Sequence, residues 1–159
     1  EVELEEKKQR LMSWKVRRFE ECSVHEMYEF LRLRSEVFVV EQDCVYQDLD
    51  DLDQQAIHLW KEDGGKAVAC TRIFPAGVCY QEASIGRVIV AENHRGGDLG
   101  VELMRRSEEV LFGLGECGPI RIMAQSYLLN WYGKQGYVPF GDEFLEDGIP
   151  HTNMMKSQF

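Results

Sequence analysis

The chain has 159 residues and a formal net charge of -10, with hydrophobic residues at 44% and charged residues at 29%. That length suits one domain with enough chain to bury a core, and the composition is ordinary for a soluble globular protein. The negative balance argues against nucleic acid as a partner, because phosphate contacts need clustered Lys and Arg; no apolar run approaches the roughly 20 residues that cross a bilayer, and nothing at the start resembles a signal peptide.

Glu1 to Leu11, "EVELEEKKQRL", is highly charged and reads as an extension or tag-like segment, with Met12 as a plausible natural start. Residues 12–159 are then expected to form a single domain. Trp14 to Phe19 suits a first strand. Ser23-Val-His-Glu26 has the capping-box pattern, and Met27, Phe30, Leu31 and Arg34 follow at helical spacing, which predicts a helix from about Ser23 to Glu36. The Asp-rich segment from Gln42 to Gln55 reads as loop or short helix. Ile57 to Lys61 and Lys66 to Phe74 read as strands joined across the turn signal "EDGG". Ser84 to Ala91 predicts a further strand, Leu99 to Leu114 a helix, Pro119 to Gln125 a strand, and Leu128 to Gln135 a short helix closed by Gly136. Extended structure follows from Tyr137. No internal repeat or linker interrupts this order, which predicts a mixed α/β sandwich whose first half is largely antiparallel.

Five cysteines (Cys22, Cys44, Cys70, Cys79, Cys117), odd in number and without a C-x-x-C pair, argue against a disulfide framework or a zinc site. They favour a reducing, cytoplasmic setting. Charge is unevenly distributed. Glu41, Asp43, Asp48, Asp50, Asp51 and Asp53 form one acidic run, and Arg87, His94, Arg95, Arg105 and Arg106 form a basic region. Two such regions could serve two ligands of opposite charge. "DLDDLD" lacks the spacing of an EF-hand calcium loop, so no metal site is expected there. A solvated loop is the plain reading, a rim for a cationic acceptor the next, with Arg34 and Arg87 as internal partners for some carboxylates.

The stretch "VIVAENHRGGDLGVELM" passes from a β-type run through Arg95-Gly96-Gly97 into a helical pattern. A glycine turn entering a helix presents unpaired backbone N–H groups and the positive end of the helix dipole, which together hold phosphate. Gly96, Gly97 and Gly100 would let a pyrophosphate approach the main chain, and Arg95 adds charge. Neither a Walker pattern nor G-x-G-x-x-G is present, and a plain connecting turn fits the local sequence equally well.

"HRGGDLG" resembles the acyl-coenzyme A loop of the GNAT (Gcn5-related) N-acetyltransferases, Arg/Gln-x-x-Gly-x-Gly/Ala after a strand. "LRLRSEVFVVEQDCVYQDLDD", "IGRVIV" and "EDGIPH" resemble the ElaA-type branch of that family, and the likeness runs from Met12 to about Lys156. The resemblance implies an α/β (α+β) fold: a GNAT-like mixed, mostly antiparallel central sheet flanked by helices on both faces. It implies that the amides of Arg95, Gly96, Gly97, Asp98, Leu99 and Gly100 hold the pyrophosphate of acetyl-CoA. Main-chain groups of Val88, Ile89 and Val90 would pair with the pantetheine arm. Asp98 stands where the family usually has its middle glycine, and an Asp there can cap the helix.

In "NWYGKQGY" the same resemblance puts Asn130 near the coenzyme and Tyr132 beside its sulfur, as the acid that protonates the departing thiolate. Without it, Trp131 and Tyr132 read as core aromatics. An alkyl amine with a pKa of about 10.4 is almost wholly protonated at neutral pH, so a base or a water chain must take its proton. Glu41, His58, Glu92 and His151 have suitable chemistry. Glu41, which opens the acidic run, is the side chain expected to orient or deprotonate the amine. The expected activity is transfer of an acetyl group from acetyl-CoA to a primary, cationic amine by direct attack in a ternary complex, without metal, nucleic acid or membrane. A homodimer is compatible with this reading. "RSEVF" followed by acidic residues also suits an acyl-homoserine-lactone-synthase-like acyltransferase, and Asp98 keeps a non-catalytic acyl-CoA-binding module in view.

Overall fold

The computed structural model describes residues 2–4 and 12–157. Of the expected extension over residues 1–11, residues 2–4 are helical and the rest lies outside the described residues. The chain then runs through β1 (Met12–Arg18), α1 (Val24–Arg34), a π-helical stretch (Ser35–Glu41), β2 (Ile57–Asp63), β3 (Lys66–Phe74), β4 (Ala83–Val90), α2 (Leu99–Gly113), β5 (Ile120–Gln125), α3 (Leu129–Gly133), β6 (Val138–Glu146) and β7 (Ile149–Lys156). The strands form one seven-stranded mixed sheet in the order β1-β2-β3-β4-β5-β7-β6. β4 pairs with β5 in parallel, whereas β1 with β2, β5 with β7, and β6 with β7 pair antiparallel.

Two compact units are distinguished, Glu1–Arg72 with Arg87–Met104, and Ile73–Gly86 with Arg105–Phe159. In the first, α1 begins as its sequence dictates. Ser23 Oγ accepts from the Glu26 amide at 3.1 Å, and Glu26 Oε1 accepts from the Ser23 amide at 2.9 Å, so two otherwise orphaned donors are satisfied. The helix buries Phe30 and Leu33, which join Val37, Trp60, Ala67, Cys70 and Ile89 in the core. The β2–β3 hairpin closes through Gly64 and Gly65, both at positive φ (59° and 81°), the conformation that a two-residue turn of this hand requires.

The helix predicted to Glu36 departs from regular geometry at Ser35 and continues as the π stretch to Glu41. The wider turn carries Val37 into the core while leaving Val40 72% exposed. In the second unit, β5 alternates, with Ile120, Ile122 and Ala124 buried. Glu108 on α2 accepts from Lys156 Nζ at 2.8 and 3.1 Å and from the Tyr137 hydroxyl at 3.4 Å. Residues after Tyr137 are resolved into two strands by a hairpin at Asp147 and Gly148, both at positive φ.

The acidic run is not a solvated loop. Arg34 on α1, 1% exposed, bonds Asp48 Oδ2 through Nε at 2.7 Å and both oxygens of Asp53 through Nη1 and Nη2 at 2.7 and 3.1 Å. Arg72 on β3 grips Asp50 at 2.6 and 2.7 Å and reaches Asp53 at 3.2 Å. Arg87 on β4 bonds Asp48 Oδ1 at 2.7 Å and its carbonyl at 3.0 Å. Three guanidinium groups and three carboxylates thus share one charge-balanced lattice within the first unit. Arg34 and Arg87 take the role that the sequence suggested, and Arg72 joins them. Asp43 and Asp51 are the exposed members of the run without an arginine partner among the described residues.

Burial opposes ionisation of Asp50, but the hydrogen bonds and charge of Arg72 outweigh it and hold the carboxyl at about 2. Asp53 is lowered by Arg34 and Arg72 against the same opposition. Both folded-state values lie below the unfolded value of about 3.9. Their stabilisation is therefore present above pH 4 and is lost as pH falls from about 4 through 2, which urea melts across that window will register as a falling midpoint. Arg34→Ala removes the central cation and leaves Asp48 and Asp53 under-paired; it is expected to cost about 3–5 kcal/mol in urea denaturation at neutral pH.

Candidate acyl-coenzyme A site

β4 is regular up to Gly86, and Arg87 then takes φ 48°, a left-handed conformation seldom adopted by a side-chain-bearing residue inside a strand. The lattice holds Arg87 in that state through Asp48. Beyond it come Val88, Ile89 and Val90, of which Ile89 is buried and the two valines are half-buried. A short turn over Glu92–His94 leads to Arg95 and the glycines.

Gly96 has φ 91°, and a side chain at Gly96 or Gly97 would meet nothing within 4 Å. The two glycines are exposed, so the loop leaves open room against its main chain. The Asp98 carbonyl accepts from the Glu102 amide at 2.9 Å, which makes Asp98 the first residue of the helix cap. The amides of residues 98–101 open a helix of 15 residues and have no intrahelical acceptor. This is the donor set and the space that a pyrophosphate needs. The exposed Asp98 side chain adds a negative charge at the same helix end.

Two residues that the sequence reading assigned to different tasks are brought together here. Arg95 Nη2 donates to both Glu41 oxygens at 2.8 and 3.0 Å, and Arg95 Nε donates to the Val90 carbonyl at 2.8 Å. Glu41 is thus bound to the head of the glycine loop, and the Val90 carbonyl is engaged by the loop itself. His94 is likewise paired, with Asp63 at 3.2 Å. The basic and acidic regions that suggested two ligands of opposite charge are joined in part to each other: Arg87 pairs with Asp48 and Asp50 and Arg95 with Glu41, while Arg105 pairs with Glu109.

Among the other base candidates, His58 is 2% exposed, stacks on Phe30, and lies with Nε2 2.9 Å from the Asp53 carbonyl; burial lowers its pKa and keeps the ring neutral. Glu92 is exposed at the start of its turn. Asn130, Tyr132 and His151 lie in the second unit. His151 Nδ1 is 2.7 Å from the Ile149 carbonyl, and its ring stacks on Phe144. Tyr132, 5% exposed, packs edge-on against Trp131 and Tyr137, and burial raises its hydroxyl, which stays protonated at neutral pH. Asn130 is exposed, and its carbonyl accepts from the Lys134 amide at 3.1 Å.

A model for the acetyltransferase (GNAT) domain matches residues 19–158. Protein ElaA of Escherichia coli is 38% identical over 150 residues, spanning 92% of this chain and 97% of its own length. The crystal structure of E. coli ElaA superposes with a TM-score of 0.85, at 35% identity over 92% of this chain and 99% of that one. An acyl-CoA N-acyltransferase from Pseudomonas aeruginosa superposes with a TM-score of 0.87, at 34% identity and the same coverage. The AHL synthase LasI reaches a TM-score of 0.74 over 92% of this chain and 89% of its own, at 15% identity, a likeness of fold alone. A matched domain model across nearly the whole chain, together with these relatives, places the protein in the GNAT acetyltransferase family.

Proposed function

We propose that the protein transfers an acetyl group from acetyl-CoA to a primary amine by direct attack in a ternary complex. The observation that carries this reading is the open glycine loop after β4, set at the unpaired amides of a 15-residue helix, in a chain of this family. The amides of Arg95 to Gly100 would hold the pyrophosphate, and main-chain groups of Val88 to Val90 would receive the pantetheine arm. Holding donor and amine side by side supplies much of the acceleration, because it removes the entropy of their encounter.

In the transfer itself, the neutral amine nitrogen forms a bond to the thioester carbon, the carbon–sulfur bond breaks, and the nitrogen, positively charged once bonded, releases one proton to water to leave the amide. Tyr132 hydrogen-bonds the departing sulfur and gives it a proton, then regains one from solvent. Its raised pKa suits this, since the hydroxyl remains a donor at the pH where the amine reacts. The amine must first lose a proton of its own. We assign that proton to water, since Glu41 gives both its oxygens to Arg95 at the head of the loop and not to an amine. The five free cysteines support a reducing, cytoplasmic setting for this chemistry.

Calorimetry with acetyl-CoA at moderate salt tests the reading directly. One site per chain at roughly micromolar affinity is expected, and absence of binding would remove the transferase proposal together with the pyrophosphate role of the loop. Tyr132→Phe should retain acetyl-CoA binding while lowering kcat by about a hundredfold, measured as thiol release with a panel of primary amines. An unchanged kcat would leave Tyr132 as a packing residue.

A further inference from the structure

Arg95 heads the glycine loop, yet its guanidinium is already in use. Nε donates to the Val90 carbonyl and Nη2 to both oxygens of Glu41. Nη2 alone grips the two carboxylate oxygens, and that nitrogen is one arm of the fork a guanidinium offers to phosphate oxygens. Glu41 therefore occupies donors that a pyrophosphate would use. The surrounding charges reinforce the point: Glu41 cancels Arg95, Asp63 faces His94, and the exposed Asp98 adds a negative charge at the helix start. No other side-chain cation in the stretch from Glu92 to Gly100 is available to an anion.

Two features make the pair exchangeable. Both side chains are partly in water, at 41% and 32% exposed, a setting in which an ion pair contributes little. Glu41 is also the last residue of the π stretch, a wider and less common turn than the α-helix that precedes it. We infer that Glu41 is an internal competitor of the donor substrate: it holds Arg95 until the pyrophosphate of acyl-CoA takes Arg95 from it on binding. Glu41 then sets donor affinity, and occupation of the loop releases the end of the π stretch. The inference rests on the acyl-CoA reading of the loop.

Calorimetry with acetyl-CoA on the wild type, Glu41→Gln, Arg95→Gln and the double variant separates the two. Glu41→Gln should bind acetyl-CoA about two- to fivefold more tightly, the size expected when a partly exposed ion pair no longer has to be broken. The gain should vanish when Arg95 is also replaced. Unchanged or weaker binding by Glu41→Gln overturns the inference, since Glu41 would then be neutral or would position Arg95 for phosphate. A gain that persists without Arg95 also overturns it, because general repulsion by the carboxylate would be enough. If Glu41→Gln melts early, Glu41→Asp, with its carboxylate drawn back by one methylene, should show a smaller gain in the same direction, and its absence counts against competition. Wild-type protein that fails to bind acetyl-CoA overturns the acyltransferase reading itself, a result distinct from wild-type binding without a Glu41 effect.

Discussion

The first unit depends on an exchange of charge between three arginines and three aspartates, buried at Arg34, Arg72 and Asp53 and open to water at Asp50. Each arginine comes from a regular element, Arg34 from α1, Arg72 from β3 and Arg87 from β4, while all three aspartates come from the connection between the π stretch and β2. A long, polar, irregular segment is thereby fixed to the core by side chains that have no other way to satisfy their charge. Removing such ions from water costs several kcal/mol each, and only a complete set of partners offsets it. The lattice is therefore better understood as a device for defining one geometry than as a source of net stability.

That geometry reaches the glycine loop through β4. Arg87 sits in a left-handed conformation at the point where the strand begins to present Val88, Ile89 and Val90. Its side chain accounts for the strain, because Asp48 accepts from it both at the carboxylate and at the main-chain carbonyl. A glycine would adopt the same backbone more easily and would lose the tether. A residue that is costly for the backbone and useful to the side chain is what functional strain consists of.

Much of this arrangement was legible in the sequence, where the signal was local. The capping box at Ser23, the two-glycine hairpin after Asp63, and the glycine turn into α2 each owe their form to neighbouring residues, and β3 begins and ends where its apolar run does. The lattice was legible only in part. Arg34 and Arg87 were expected to pair with some of the carboxylates, whereas Arg72 was not, although an arginine within "KAVACTRIF", a strand otherwise buried along almost its whole length, demands a partner; its partners lie about twenty residues away, where spacing gives no guide. The π stretch was hidden for a different reason. Its residues, Ser-Glu-Val-Phe-Val-Val-Glu, carry no local signal that separates a wider turn from an α-helical one. The Glu41–Arg95 contact spans 54 positions, too far apart for spacing to suggest it: the expected base and the head of the expected phosphate loop are each other's partners.

The burial of the lattice divides the protein's charges into two populations with different responses to ionic strength. Dissolved ions screen charges that face water and scarcely reach those enclosed by protein. Arg34 and Asp53 are enclosed and their lattice is balanced within itself, whereas Glu41, Arg95 and Asp98 stand at the surface. Added salt will therefore weaken the charges around the glycine loop long before it disturbs the framework that supports them. The loop can adjust its electrostatics to its surroundings on a scaffold that does not register the change.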